Sequence, residues 1–179
     1  MQANDRGPNA MTDVVSHPTG EAARDAIWEH ARAIDTCMLV TRNSETLRAR
    51  PMTAILRTAQ NEVWFFADAN DHKDDELARD PHACLTFADP RDHCYVSMSG
   101  HIDLVRDRKT IEDLWNDGAA RYFPTGPSDP RILLLRFEPE LGEFWDAPSG
   151  TIAAVFHFLR SAVTGETRPP GTSGRVQLS

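Results

Sequence analysis

Three basic side chains in the stretch between residues 47 and 75 have a spacing that suits the binding of an anion. Arg48 and Arg50 are two residues apart on a predicted strand, so both side chains point to the same face. Lys73 lies in the first turn of a helix predicted to begin at Asp71, where unpaired backbone N–H groups attract negative charge. If this strand lies beside the next one, an arginine and Lys73 can bind one phosphate group.

The same residues have a simpler interpretation as solvated surface charges, because basic residues are mostly exposed. Asp71, Asp74 and Asp75 would also repel an anion unless they point away from it. The spacing alone leaves both interpretations open.

Two aromatic groups in the sequence have different predicted roles. Trp64, Phe65 and Phe66 follow one another in a short apolar run, which is typical of a strand buried on both sides. Trp145 has polar neighbours and precedes a Pro-Ser-Gly turn, so it can line a pocket or an interface, or pack at the rim of the core.

Motifs for several other chemistries are missing from the sequence. His82, Cys84, His93 and Cys94 are close together, but their spacing matches no standard zinc site, so we expect no metal. The sequence contains no G-x-S-x-G motif for a nucleophilic serine and no glycine-rich motif for Rossmann or P-loop nucleotide binding. We therefore name no catalytic residue.

Length, net charge and cysteine content exclude several classes of protein. The 179 residues suit one domain, and the formal net charge of -8 argues against nucleic-acid binding and gives no attraction to anionic membranes. Three cysteines without a C-x-x-C pair do not suit a disulfide framework, which favours the cytoplasm. The N-terminus lacks the apolar segment of a secretory signal, and no apolar run is long enough to span a membrane.

Seven short strands with turns between them are predicted, together with three or four helices. Residues 95–105 show the clearest alternation, with Val96, Met98, Ile102 and Leu104 on one face. Other strands are predicted at 37–41, 47–57, 63–66, 83–87, 131–137 and 141–145, and helices from residue 19, at 71–79, at 109–115 and at 151–163. Successive strands joined by turns form an antiparallel sheet, and closure into a small barrel would remove its exposed edges.

The predicted organisation is therefore mainly β with peripheral helices. We expect a disordered leader at residues 1–17, one barrel domain at 18–163, and a loosely ordered C-terminal tail at 164–179 that is rich in Gly, Pro and Thr.

Taken together, these stretches resemble the pyridoxamine 5′-phosphate oxidase-like flavoproteins, in particular their general stress protein 26-like branch. The resemblance covers about residues 21–178. It rests on the order and spacing of R-A-R-P-M at 48–52, W-F-F-A-D at 64–68, H-K at 72–73, Y-V-S-M-S-G at 95–100, E-F-W-D at 143–146 and G-R-V-Q-L at 174–178.

The resemblance implies an antiparallel split β-barrel that works as a homodimer, with flavin mononucleotide (FMN) bound at the interface between the subunits. It implies that the segment Arg50, Pro51, Met52 and Thr53 lies along the flavin, with the arginine near the phosphate. By the same resemblance, further contacts come from Phe66 and Ala67 beside the cofactor, His72 and Lys73 on the phosphate, Tyr95 near the ring, and Trp145 from the partner subunit.

Two departures from the vitamin-forming oxidases concern the substrate. Those enzymes have a lysine five residues after the strand arginine, where this sequence has Ile55, and an Arg-x-His segment after the late tryptophan, where this sequence has Asp-Ala-Pro-Ser-Gly. We therefore do not expect pyridoxamine phosphate oxidation. The resemblance favours an FMN-dependent oxidoreductase acting on an unknown small molecule. The alternatives are a flavin-binding stress or sensor protein without turnover, and a reductase that uses the deazaflavin F420 on the same fold.

Overall fold

A computed structural model describes residues 20–43, 45–71, 77, 79–146 and 172–178. Within these ranges the chain forms eight strands and three helices, with a 3-10 turn at Ala69–Asp71. The helices are α1 (Glu21–Ile34), α2 (Arg108–Leu114) and α3 (Asp117–Tyr122). The strands are β1 (Thr36–Asn43), β2 (Thr46–Thr53), β3 (Ile55–Arg57), β4 (Glu62–Asp68), β5 (His82–Asp89), β6 (Cys94–Val105), β7 (Ile132–Asp146) and β8 (Thr172–Gln177).

All eight strands belong to one antiparallel sheet. The strand order is β2-β1-β5-β6-β7-β4-β3. Strand β8 lies outside this order and pairs with the last part of β7. The two ends of this order, β2 and β3, are consecutive in the chain and are joined by the single residue Ala54. The backbone N–H of Ala54 donates to the carbonyl of Asp35 at 3.0 Å, which fixes the bend. This covalent link brings the two ends of the strand order together while β2 and β4 stay unpaired with each other, which agrees with the predicted antiparallel split barrel.

The main core lies inside this barrel and under α1. Phe65, Phe87 and Phe137 are among its fully buried side chains, and Ile27 and Trp28 of α1 pack on the same cluster. Ala23, Ile27 and Ala31 follow a four-residue spacing on one helix face, which the sequence predicted and the burial confirms.

A second apolar cluster lies on the other side of β4. There α2 and α3 cover Trp64, Ile132 and Leu134 with Ile111, Leu114 and Phe123. Strand β4 is therefore covered on both faces, as its continuous apolar sequence predicted.

The alternation predicted for residues 95–105 is confirmed. Val96, Met98 and Ile102 are buried on β6, whereas Tyr95 and Ser99 are exposed. The register with β7 shifts between Ser99 and Gly100, where Glu140 is an extra residue on β7.

Three predicted element boundaries were wrong. Residues 47–57 form β2 and β3 rather than one strand, because the chain bends at Ala54 from one end of the sheet order to the other. The strands predicted at 131–137 and 141–145 are parts of the single strand β7. The residues between them do not form a turn, because a bulge at Glu140 lets the strand continue.

The third correction concerns the C-terminal tail. Its residues 172–177 were predicted to be loosely ordered, but they form β8, which pairs along β7 from Leu141 to Asp146. Leu178, just beyond β8, is 1% exposed, so burial of an apolar side chain outweighs the loop-like composition of this segment. The predicted leader and the helix predicted at 151–163 lie outside the described residues.

Each described helix is too short or too polar to span a membrane.

Candidate functional site

An open seam between β2 and β4 is the central feature of the candidate site. The β3–β4 register pairs Ile55 with Trp64, but beyond Ala54 the strands β2 and β4 are not neighbours in the sheet. Extending that register past Ala54 places Thr53 level with Phe66 and Met52 level with Ala67. The edges of β2 and β4 that face this seam thus carry backbone N–H and C=O groups outside any strand ladder of the described residues. Such edges suit the polar edge of a flat ring.

Two arginines lie towards one end of the seam. Arg48 and Arg50 share one face of β2, as their spacing predicted, and pair with the buried Thr41 and Leu39 of β1. Arg48 is exposed and Arg50 is half-buried. Nη1 of Arg50 donates to Oγ1 of Thr41 on β1 at 2.8 Å, so the guanidinium is oriented by its neighbour strand. Extending the same register places Arg50 level with Ala69, where β4 ends. The extended register thus places Arg50 at the level of the segment that precedes His72 and Lys73 in the sequence.

Four other predicted site residues lie on the outward face of the sheet. The strand pairings form one row across the sheet, from Pro51 through Met38, Thr86, Ser97 and Glu143 to Arg175. Directly paired residues share a face, and so do residues two apart, which places Thr53, Tyr95 and Trp145 on this face as well.

The outward face carries four large exposed apolar side chains among its polar residues. Tyr95 and Trp145 are cross-strand partners and are 38% and 44% exposed. Met38 and Leu47 are also exposed and occupy the same face.

The structure does not bring all these residues to one place within a single chain. Strands β1 and β5 separate β2 from β6, so Thr53 and Tyr95 are three strand spacings apart, which is about 14 Å measured along the curved sheet. Trp145 on β7 is one spacing farther away, at about 19 Å. A ligand along Pro51 and Thr53 is therefore out of reach of Trp145 of the same chain.

Phe66 and Ala67 flank the seam with their backbone and not with their side chains. The ring of Phe66 packs edge-on against Trp115 at a centroid distance of 5.7 Å, in the second apolar cluster. The methyl group of Ala67 points into the main core. Because successive side chains of a strand point to opposite faces, only their backbone atoms can face a ligand in the seam together. His72 and Lys73 lie outside the described residues.

A group of charged residues at the end of β4 was missed by sequence analysis. Arg131 binds Asp129 through two hydrogen bonds, Nε to Oδ1 at 3.2 Å and Nη2 to Oδ2 at 2.9 Å. Its Nη1 also donates to Oδ2 of Asp68 at 3.2 Å. The hydrogen bonds from Arg131 hold the pKa of the Asp129 carboxyl below its usual value, so it stays ionised. The only sequence signal was the spacing Asp129-x-Arg131, which is common in turns.

One group of described residues has donors for a cation. The ligand atoms of His101, Asp103 and Glu138 lie within 4.8 Å of one another. However, Nη2 of Arg136 lies 2.6 Å from Asp103 and 2.9 Å from Glu138, so a guanidinium already balances these carboxylates. We assign no metal to this group.

Comparison with known proteins identifies the family. The family model described as "Pyridoxamine 5'-phosphate oxidase like" matches residues 22–169, which is most of the chain. The chain belongs to this family.

Three similar proteins indicate how far the likeness extends along the chain. The general stress FMN/FAD binding protein from Xanthomonas citri is 25% identical, with a TM-score of 0.65 over 73% of this chain and 93% of that one. A protein related to general stress protein 26, from Clostridium acetobutylicum, is 23% identical, with a TM-score of 0.65 over 71% of this chain and 90% of that one. Protein bli-3 of Neurospora crassa is 24% identical over 151 residues, which covers 78% of this chain and 71% of that protein.

Proposed function

We propose that this pyridoxamine 5′-phosphate oxidase-like protein binds FMN and acts as an oxidoreductase on a small molecule. The observation that carries the proposal is the open seam, where the edges of β2 and β4 lie outside any strand ladder of the described residues and Arg48 and Arg50 lie towards one end. Strand edges can hydrogen-bond the polar edge of a flavin ring, and guanidinium groups bind phosphate with strong, charge-assisted hydrogen bonds. The Xanthomonas citri relative is named as an FMN/FAD binding protein, which supports a flavin here.

The residues that hold the cofactor in this proposal have separate tasks. Arg50, oriented by Thr41, and the pair His72 and Lys73 bind the phosphate. Backbone groups of Met52, Thr53, Phe66 and Ala67 bind the ring edge, and Pro51 offers an apolar surface beside it. A bound flavin supplies the redox chemistry, because it accepts and donates electrons.

A homodimer completes this site. Trp145 and Tyr95 are about 14 to 19 Å from Thr53 within one chain, so they reach the flavin only from a second copy. The apolar outward face that carries Pro51, Met38, Tyr95 and Trp145 is the surface we assign to that second copy. Light scattering coupled to gel filtration should give a dimer, and a monomer that binds FMN fully would contradict this arrangement.

The cofactor itself is tested by the spectrum of the purified protein. We expect the yellow absorbance of a flavin, and the mass of the released molecule should be that of FMN. Parallel titration with FMN and F420 decides between these two cofactors. A colourless protein that takes up no added FMN would overturn the proposal.

Substrate turnover is tested separately. Anaerobic mixing with NADH, NADPH and small organic donors should bleach the flavin absorbance with at least one of them if the protein is an oxidoreductase. A flavin that no donor reduces would favour a binding or sensing role. The odd number of cysteines makes the cytoplasm the location we propose for either role.

The proposed contact between Lys73 and the FMN phosphate is tested by Lys73→Ala. Loss of a charge-assisted contact should weaken FMN binding by about tenfold and leave riboflavin, which has no phosphate, almost unchanged. Lys109, the only other lysine of the sequence, is exposed on α2, and Lys109→Ala serves as the matched control. Equal FMN affinity in wild type and Lys73→Ala would remove Lys73 from the site.

A further inference from the structure

The residue that joins α1 to β1 has a strained backbone. Asp35 has a φ of 66° and a ψ of -48°. L-amino acids rarely adopt a positive φ, and the small left-handed region that is open to them has a positive ψ. A conformation of this kind costs free energy and persists only where the surrounding contacts hold it. The contacts around Asp35 therefore indicate the role of the strain.

Asp35 is held from both sides. Its N–H donates to the carbonyl of Ala31 at 3.1 Å, and its carbonyl accepts from the N–H of Ala54 at 3.0 Å. Ala31 is fully buried and Ala54 is nearly so. The next residue, Thr36, pairs with Thr53 in the ladder between β1 and β2. The backbone of Asp35 thus connects the end of α1 to the bend between β2 and β3.

The bend at Ala54 is the point from which the open seam widens. Ile55, one residue after the bend, pairs with Trp64 on β4, whereas Thr53, one residue before it, lies where β2 and β4 are no longer neighbours in the sheet. The direction of β2 relative to β4 therefore depends on the backbone at Ala54. Its hydrogen bond to Asp35 fixes this direction and, with it, the separation of the two facing edges.

The stability of the folded protein does not explain the conformation of Asp35. Glycine adopts a positive φ at no steric cost and is the usual residue where a helix ends in this way. Asp35 is exposed, so its side chain adds no burial that would offset the strain. A side chain at this position does narrow the range of backbone conformations, which keeps the carbonyl directed at Ala54.

The other described non-glycine residues with a positive φ are Asn61 and His93. They lie in the turns between β3 and β4 and between β5 and β6, where tight turns commonly require this conformation. Asp35 differs from them because it lies between a helix and a strand, beside the bend where the seam begins.

We propose that Asp35 is a positioning residue for the flavin ring: its strained backbone holds Ala54 and thereby sets the width of the seam between β2 and β4. This proposal rests on the proposed FMN function. In that function, backbone groups of Thr53 and Phe66 contact one rigid ring from opposite edges, so the edges must stand at a fixed separation. A displacement of about 1 Å is enough to weaken such contacts substantially.

The test compares the binding of FMN and riboflavin to wild type and Asp35→Gly by fluorescence titration. Glycine relieves the strain and frees the carbonyl, so we expect the affinity for both flavins to fall by about tenfold. The two losses should be equal, because both molecules carry the same ring. The melting temperature without flavin should stay the same or rise, since the strain is removed. Weaker binding by a protein that is no less stable is a result that a purely structural role would not give.

Two matched variants separate backbone strain from charge and from the substitution itself. Asp35→Asn removes the charge but keeps a side chain at the strained position, so both affinities should stay within about twofold of wild type. Asp25→Gly makes the same substitution at an exposed helical position of α1, where it should lower the melting temperature slightly and leave both affinities unchanged. At saturating FMN, the visible circular dichroism of the bound flavin should change in Asp35→Gly and match wild type in the two controls.

Unchanged affinity for both flavins in Asp35→Gly would overturn the proposal. A loss confined to FMN would overturn it too, because the effect would then act on the phosphate and not on the ring. A lower melting temperature that accompanies the loss of affinity would assign Asp35 a structural role instead. A wild type that binds neither flavin would overturn the proposed function, so the two failures are distinguishable.

Discussion

At the scale of single residues, burial separates the three cysteines into two kinds. Cys37 and Cys94 are buried, whereas Cys84 is partly exposed on the outward face, where its Sγ lies 3.5 Å from Oγ of Ser97. Burial raises the pKa of the Cys37 thiol to about 12 and that of Cys94 to about 11. Both thiols therefore stay protonated near neutral pH and are poor nucleophiles.

Alkylation should distinguish these cysteines. Brief treatment of the folded protein with iodoacetamide at pH 8 should modify Cys84 and spare Cys37 and Cys94, because the thiolate is the reactive form. Peptide mass spectrometry measures the modification at each site, and the unfolded protein, in which all three react, is the control. Rapid modification of Cys37 in the folded state would contradict the burial described above.

Asp129 makes the stability of the folded protein depend on pH in a direction that can be predicted. Since Arg131 lowers the pKa of its carboxyl in the folded state, Asp129 contributes stability above the ordinary aspartate pKa, and this contribution is lost as the pH falls through the lowered value. Asp129→Asn should therefore melt at a lower temperature than wild type at pH 7, and the difference should shrink below about pH 4. Thermal melts at several pH values measure it, and a constant difference at every pH would contradict the assignment.

At the scale of elements, β6 and β7 pass close to one another beside the bulge. A Cβ added to Gly100 would lie 2.0 Å from the carbonyl oxygen of Glu138, which belongs to the backbone and cannot rotate away. Gly100 is thus required by close approach of two strands. The long strand β7 continues through the bulge. It pairs with β4 along its first part and with β8 along its last part.

Gly100→Ala should destabilise the protein by about 3 kcal/mol, because the two strands must separate to admit the methyl group. Gly118 on α3 meets only a side-chain atom, Oδ1 of Asn116 at 2.9 Å, so Gly118→Ala is the matched control and should change the stability by less than about 1 kcal/mol. Chemical denaturation measures both variants. Equal stability of Gly100→Ala and wild type would mean that the close approach is absent.

At the scale of the whole molecule, the C-terminal strand and α1 cover the same place on β7. The side chains of Ile27 and Leu178 both lie over Gly142, where an added Cβ would come within 2.7 Å and 2.8 Å of them. The N–H of Leu178 also donates to the carbonyl of Glu140 at 2.7 Å. The two ends of the described chain therefore join in one core around a glycine.

Leu178→Ala should destabilise the folded protein by about 2 to 5 kcal/mol, as expected for a fully buried leucine. Arg175 on the same strand is exposed and pairs with Glu143 at 3.5 Å, so Arg175→Ala should cost less than about 0.5 kcal/mol. Denaturation curves of the two variants provide the comparison. A stable Leu178→Ala variant would support the loosely held tail that composition predicted.

Sequence alone determined the local features of this protein. Alternating apolar residues marked β6, the continuous run at 63–66 marked the doubly buried β4, and the two-residue spacing of Arg48 and Arg50 placed both on one face. These features follow from backbone geometry within one element, so a short stretch of sequence contains them. The family resemblance likewise rested on short motifs.

Only the tertiary structure decided which distant segments meet. The seam between β2 and β4, the separation of Trp145 from Thr53, the pairing of β8 with β7 and the link from Arg131 to Asp68 all join residues far apart in the chain. Such contacts depend on the packing of the whole sheet, where burial of Leu178 outweighs the loop-like composition around it. No local pattern in the sequence carries that information.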